Sequence, residues 1–230
     1  MKLSIIIPVY NEEKTIEEVI RRVERVNLGH KITKEIIVVN DGSTDRTPRI
    51  LKRLSMGNRI RIFNHSRNLG KGAGVRTGIK MSAGDVIIIQ DADLEYSPSD
   101  YPRLLEPILK KEVEVVYGTR MRVQVKPEFY LSFLGNKLLT WLVNLFFASH
   151  FSDVFVGYKV FKREVLKGIK LKSNGFNIEI ELTAKFLKKK LKIKEVPISY
   201  QGRSWREGKK INFRDGLISL LNIFYYRFFD

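Results

Sequence analysis

Asp85-Val86-Ile87-Ile88-Ile89-Gln90-Asp91-Ala92-Asp93 decides the reading of this chain. Four consecutive β-branched apolar residues leave no polar face, which describes a strand buried on both sides. Such strands belong to mostly parallel sheets with helices on both faces. In open sheets of that kind ligands bind outside the carboxyl ends of the strands. Here that end is Asp91-Ala92-Asp93. Two carboxylates two residues apart, where a strand breaks into a turn, can converge on one hard cation such as Mg2+ or Mn2+, which bridges to phosphate oxygens. The tripeptide alone is equally a polar turn; the apolar run before it favours a site.

Outward from this strand the first half keeps alternating. Leu3 to Val9 and Ile36 to Val39 are further apolar runs, and Arg59 to Phe63 fits a third. Between them lie helical patterns. Glu12 to Val26 places Ile16, Val19, Ile20 and Val23 on one face, with Asn11 as the expected N-cap. Thr47-Pro48 reads as N-cap then first turn, Gly70 to Ser82 is helical, and Ser97-Pro98-Ser99-Asp100 opens a helix to Lys111. The expected class is α/β, and the loops to search are Pro8–Glu12, Asn40–Asp45, His65–Gly74 and Asp91–Glu95.

The second half differs. Phe129 to Phe147 is a long apolar helix with Lys137 near its middle, Phe176 to Lys190 a helix, and Leu191 to Val196 a strand. Gln201 to Lys210 is a polar loop, and Phe213 to Phe229 is amphipathic and aromatic. A solvated helix end accounts for Lys188-Lys189-Lys190. A single domain over 1–230 is expected, with 1–120 and 121–212 as two functional halves and 213–230 as a terminal helix.

The chain has 230 residues, 42 Lys+Arg against 25 Asp+Glu, and a formal charge of +17. With 43% hydrophobic residues there is material for a sizeable core, which excludes general disorder. No cysteine is present, which excludes disulfides and thiolate chemistry. The charge is uneven: residues 1–120 carry a net +5 and residues 121–230 a net +12. Such an excess points to an anionic partner, whether nucleic acid, anionic membrane or phosphorylated substrate. Aromatic residues gather in apolar helices rather than among basic ones, so no stacking platform for nucleic acid is expected. The first apolar stretch is too short for a signal peptide core, and the longest uncharged run, fifteen residues between Lys137 and Asp153, is short of a spanning helix.

Two further motifs sit at strand ends. Asn40-Asp41-Gly42-Ser43-Thr44-Asp45 offers side chains to a base or ribose, or is a capped turn. Asn68-Leu69-Gly70-Lys71-Gly72-Ala73-Gly74 places glycines and a lysine before a helix, as an anion-binding turn would. His30, His65 and His150 show no ligand spacing.

In order, Pro8-Val9-Tyr10-Asn11-Glu12, Asn40 to Asp45, Asn68 to Gly72 and Asp91-Ala92-Asp93 resemble the signature of family 2 glycosyltransferases with the GT-A fold. Asp91 to Glu95, Gly118-Thr119-Arg120, Asp153 with Gly157-Tyr158-Lys159, and Glu195-Val196-Pro197 with Tyr200 and Arg203 resemble the dolichyl-phosphate mannose synthase branch. The resemblance implies a mostly parallel, Rossmann-like central sheet with helices on both faces, and the residue pattern adds C-terminal amphipathic helices. Pro8, Tyr10, Glu12, Asn40, Asp41, Lys71 and Asp91 would bind nucleotide. Asp91, Asp93 and Glu95 would hold Mg2+ or Mn2+. Arg120 and Arg203, with Lys209 and Lys210 from the basic loop, would meet an acceptor phosphate. Asn40 departs from the aspartate common in the branch, and Glu95 from its glutamine.

The implied activity is inverting transfer of a hexose, mannose or glucose, from GDP-mannose or UDP-glucose to dolichyl or polyprenyl phosphate. Asp93, Asp153, Arg120 and Arg203 are the expected catalytic residues. An acceptor phosphate is already anionic, its second pKa being about 6, so it needs positioning, and Asp153 would orient. A hydroxyl acceptor in surface polysaccharide synthesis, fed by a UDP-sugar, would instead make Asp153 the base. A catalytically dead scaffold is argued against by Asp91, Asp93, Arg120 and Arg203. The expected location is the cytoplasmic membrane face, bound peripherally through the aromatic helices, with room for a separate membrane subunit.

Overall fold

The apolar runs of the first half become β1 (Lys2–Val9), β2 (Thr33–Asn40), β3 (Ile60–Asn64) and β4 (Val86–Ile89) in the computed structural model. It describes residues 1–57, 60–120, 130–203 and 213–230. The four strands pair in parallel in the order β3-β2-β1-β4. Ile5, Ile6, Ile7, Val38 and Ile87 to Ile89 are wholly buried, as two-sided apolar strands require. The expected first residues Arg59 and Phe129, and the loop residues 204–210 with Lys209 and Lys210, lie outside the described residues.

Between these strands run α1 (Ile16–Arg25), α2 (Thr47–Ser55), α3 (Lys71–Met81) and α4 (Tyr101–Leu109). Helix α1 buries Ile16, Val19, Ile20 and Val23, the face read from spacing. Its start is later than expected. Thr15 is the N-cap, while Asn11 takes φ +49° and accepts from the Thr44 backbone N–H at 2.8 Å. Asn11 therefore clamps two loops together instead of capping a helix. Thr47 likewise falls inside α2, where its hydroxyl accepts from the Glu12 N–H at 3.0 Å. Helix α3 lies close on the sheet because its residues are small: a Cβ on Gly78 would stand 2.2 Å from Ile6 Cγ2.

Three more strands complete a seven-stranded sheet, β5 (Val115–Thr119), β6 (Lys159–Lys162) and β7 (Ile193–Pro197), in the order β3-β2-β1-β4-β6-β5-β7. Strand β6 is antiparallel to both neighbours, β4 and β5, and β7 is parallel to β5. Neither β5 nor β6 was expected from sequence. Helices α5 (Tyr130–Phe147), α6 (Ile178–Lys188) and α7 (Phe213–Phe228) finish the fold. Helices α5 and α7 lie together, with the Phe146 ring 4.9 Å from that of Phe224 and 6.0 Å from that of Phe228. Their inner faces bury Leu139, Val143, Ile223 and Tyr226. Among the described residues no helix is long and apolar enough to cross a membrane.

Candidate active site

The end of β4 is fixed by a buried amide. Gln90 Oε1 accepts from the hydroxyls of Tyr101 and Tyr158, each at 2.7 Å, and Gln90 Nε2 donates to the Asp91 carbonyl at 2.9 Å. Asp91 leaves the strand toward α3, where its Oδ1 is 2.6 Å from Lys71 Nζ. Gly157 presses on the other oxygen: a Cβ there would be 2.2 Å from Asp91 Oδ2. Lys71 also lies 3.0 Å from Glu179 Oε1. Burial opposes the Lys71 charge, but Asp91 and Glu179 override it and hold the ammonium above the usual lysine range.

Asp93 stands in an excess of negative charge. Burial, then the neighbouring carboxylates Asp91 and Glu95, push it up to about 7 against a partial counterweight from Arg203. The Arg203 guanidinium reaches Glu12 through two bonds, at 3.0 and 3.1 Å, and Asp93 Oδ2 at 3.3 Å. Its backbone N–H donates to Glu95 Oε1 at 2.8 Å.

Arg120 and Asp153 form a bidentate pair, Nε to Oδ2 at 2.6 Å and Nη2 to Oδ1 at 3.0 Å. Arg120 lies over the Tyr200 ring, 5.0 Å from its centroid. The Ser152–Asp153 turn is held by Glu195, which accepts from Ser152 N–H at 2.9 Å and from its hydroxyl at 2.7 Å. Lys137 of α5 donates to the Ser152 carbonyl at 3.1 Å.

Next to these groups lies a cavity of about 750 Å3. Pro8, Tyr10, Glu12, Asp41, Lys71, Asp91, Asp93, Glu95, Arg120, Asp153 and Arg203 all line it. Asn40 does not: it is buried, its amide donates to Asn64 Oδ1 at 3.0 Å, and its oxygen accepts from Ser43 N–H at 3.2 Å. Asp41 lines the cavity, yet its carboxylate accepts from Leu69 and Gly70 N–H at 3.0 and 2.7 Å and pairs with His65 Nδ1 at 2.6 Å. It shapes the turn that delivers Lys71. Lys209 and Lys210 lie outside the described residues. Glu179, Lys137 and Tyr96, which sequence reasoning did not single out, also line the cavity.

Among the described residues no three His, Asp or Glu side chains converge as a metal-binding group. The donor set nevertheless fits a hard divalent cation. Asp91, Asp93 and Glu95 offer only oxygens, and the raised Asp93 carboxyl marks negative charge that a cation would neutralise. Phosphate and water oxygens would complete such a site.

The profile described as Glycosyl transferase family 2 matches residues 4–169. The chain belongs to this family. A dolichol-phosphate mannosyltransferase from Pyrococcus furiosus is 32% identical over 219 residues, covering 92% of this chain and 61% of that protein. A low-salt glycan biosynthesis hexosyltransferase from Haloferax volcanii is 30% identical, covering 93% of this chain and 51% of its own length. A UDP-N-acetylglucosamine–dolichyl-phosphate N-acetylglucosaminyltransferase from Methanococcus voltae is 29% identical, with 85% and 84% covered. This family 2 chain thus spans only part of the first two. Among solved structures, glucosyl-3-phosphoglycerate synthase from Mycobacterium tuberculosis superposes with a TM-score of 0.76 at 21% identity, covering 98% of this chain and 80% of that one. That likeness shows the GT-A fold. The Mycobacterium enzyme has also been crystallised with Mn2+ and UDP.

Proposed function

We propose that the chain transfers a hexose, with inversion, from a nucleotide-sugar to a dolichyl or polyprenyl phosphate at the cytoplasmic membrane face. One observation carries the reading: Asp91, Asp93 and Glu95 line the same cavity as the Arg120–Asp153 pair. The first group suits a metal-bound diphosphate, the second an anionic acceptor. Names of the Pyrococcus and Methanococcus relatives lend support for the acceptor.

Each residue has a task. Asp91, Asp93 and Glu95 would hold Mg2+ or Mn2+, which when bound neutralises charge that builds on the leaving diphosphate. Lys71, fixed by two carboxylates, offers a second cation to the same phosphates. Pro8, Tyr10 and Glu12 border the nucleotide. Arg120, its Nε–Nη2 edge held by Asp153, would turn its remaining Nη donors to the acceptor phosphate, and Arg203 would join it. Asp153 orients Arg120. Because both Asp153 oxygens are taken by that guanidinium, the hydroxyl-acceptor reading with Asp153 as base is the weaker one. GDP-mannose and UDP-glucose both remain candidate donors, with the mannose branch favoured by the Pyrococcus relative. Apolar side chains exposed on α5 and α7 suit an anionic membrane surface, and leave room for a membrane subunit.

The test is a thermal-shift series with GDP and UDP plus Mn2+, followed by organic extraction of product from labelled nucleotide-sugar. A nucleotide at 100 times its Kd stabilises by about 2.7 kcal/mol. Label in the organic phase supports the proposal; label confined to water-soluble product overturns it.

A further inference from the structure

Lys159 is a charged residue with no exposed surface. Its ammonium lies 2.5 Å from Glu179 Oε2 and donates to the Val154 and Val156 carbonyls at 3.0 and 2.9 Å. The Tyr117 ring lies beneath it, 4.6 Å away. Glu179 gives its other oxygen to Lys71, and Lys71 reaches on to Asp91. Lys159, Glu179, Lys71 and Asp91 therefore form an unbroken line of alternating charge from the core to the cavity.

A buried ion pair is a poor stabiliser, because desolvation offsets most of the attraction, and an apolar pair of similar volume serves stability as well or better. Stability alone does not explain this line. Its two ends do. One end is Lys71, the cation beside the proposed diphosphate site. The other clamps two carbonyls of the segment 153–157, which begins with Asp153 and ends at Gly157 against Asp91.

We infer that Lys159 is a positioning residue that fixes Lys71 through Glu179 and fixes the Asp153–Gly157 segment through its carbonyls, so that donor and acceptor groups keep their register. This rests on the donor-site reading above. Lys71 is shared between Asp91 and Glu179. Without Lys159, Glu179 keeps one ammonium only and draws Lys71 away from Asp91. The segment after Asp153 loses two bonds, those to the Val154 and Val156 carbonyls, at the same time.

The experiment is a double-mutant cycle with Lys159→Met and Glu179→Gln, plus Lys159→Arg as the charge-conserving variant. It reads the Kd of Mn2+ with GDP and with UDP, kcat and KM for both substrates, and the melting temperature. Lys159→Met is expected to weaken nucleotide binding at least fivefold and lower kcat at least tenfold while the protein stays folded. In the Glu179→Gln background the same change should alter nucleotide Kd less than twofold, and Lys159→Arg should recover part of the loss. Equal melting losses in both backgrounds, with Kd and kcat unchanged, would leave Lys159 purely structural and overturn the inference. Should Lys159→Met fail to fold, Lys159→Gln, which keeps a donor and loses the charge, takes its place: a weakened nucleotide Kd at native melting temperature supports positioning, and unchanged Kd and kcat overturn it. If the parent chain binds neither nucleotide, the donor-site reading falls and this inference with it. Binding that ignores every Lys159 variant overturns the inference alone.

Discussion

Arg203 lies across Glu12 and Asp93, its guanidinium 3.0 and 3.1 Å from the two Glu12 oxygens and 3.3 Å from Asp93 Oδ2. An arginine assigned to the acceptor thus neutralises carboxylates assigned to the donor and its metal. A divalent cation arriving at Asp93 competes with it. Arg203→Met should therefore tighten Mn2+ binding in the absence of nucleotide while lowering use of the acceptor. An ion pair of about 1 kcal/mol corresponds to roughly fivefold in Kd. Titration of Mn2+ by calorimetry measures the first effect and initial rates the second. Weaker Mn2+ binding in the variant would show that Arg203 supports the metal site instead of competing for it.

Asp93 predicts a pH dependence of the metal-free protein. Its carboxyl is pushed from 3.8 to about 7 by burial and by Asp91 and Glu95. A group whose folded pKa exceeds its unfolded value binds protons more tightly when folded, so its contribution is fully present below about 4 and is lost as pH rises through about 7. The melting temperature without metal should fall across that window, and Asp93→Asn should flatten the slope. Saturating Mn2+ should remove it as well, since the cation replaces the proton. A metal-free melt independent of pH between 4 and 7 would contradict the charge excess at Asp93.

Gly157 is required by Asp91. An added methyl would sit 2.2 Å from Asp91 Oδ2, and the neighbouring Tyr96 ring at 3.0 Å blocks retreat. Overpacking of this kind costs about 1–3 kcal/mol. Gly157→Ala is expected to lower stability within that range and weaken Mn2+–nucleotide binding far more than Ala substitution at exposed Gly135, where nothing lies within 4 Å. Parallel melts and nucleotide titrations on the two variants check this.

These residues also show what the sequence made legible. Strands β1 and β4 were readable because runs such as Val86-Ile87-Ile88-Ile89 declare two-sided burial locally. Motifs alone named Asp91, Asp93, Glu95, Arg120 and Arg203, and the fold brings these to one cavity. Strand β6 was not, because Lys159-Val160-Phe161-Lys162 is bracketed by lysines, a surface pattern. Its first lysine is buried only because Glu179, twenty residues away in sequence, meets it. In β5, Gly118 and the preceding Glu112 and Glu114 obscured a strand that burial on both faces sustains. Asn11 misled for the same reason, and His65 carried no local sign of its pairing with Asp41. Their partners, Thr44 and Asp41, are distant in sequence, and a side chain's bonding follows from tertiary contact rather than from its neighbours.

Asp153 separates the two acceptor chemistries. Its carboxylate is held bidentately by Arg120, and its Oδ1 also accepts from Phe155 N–H at 3.1 Å. As an orienting residue, Asp153→Asn keeps the shape and loses the charge, so KM for the acceptor should rise about tenfold with a smaller change in kcat. As a general base, the same change should remove about 10²- to 10⁴-fold from kcat. Steady-state kinetics on a prenyl phosphate and on a hydroxyl acceptor decides, and turnover of the hydroxyl acceptor alone, with kcat collapsing in the variant, would move the reading to that chemistry.

Helices α5 and α7 turn Leu138, Trp141, Leu145, Leu221 and Phe228 outward, each 57–61% exposed. Large apolar groups gathered on two adjacent helices mark an interaction surface rather than scattered exposure. Residues 121–230 add a net charge of +12. A bilayer with anionic lipid satisfies both features, with apolar groups entering the acyl boundary and charge drawing the protein in. The protein should co-sediment with vesicles containing anionic lipid and much less with neutral ones, and the binding should weaken with salt, since surface attraction is screened within about 8 Å at physiological ionic strength. In a Trp205→Phe background, Trp141 emission should shift to the blue on vesicle addition. The double variant Leu138→Ser, Leu221→Ser should lose most of the binding while retaining transfer to a short-chain, water-soluble prenyl phosphate. A blue shift that follows protein concentration without vesicles would assign the surface to a second copy of the chain.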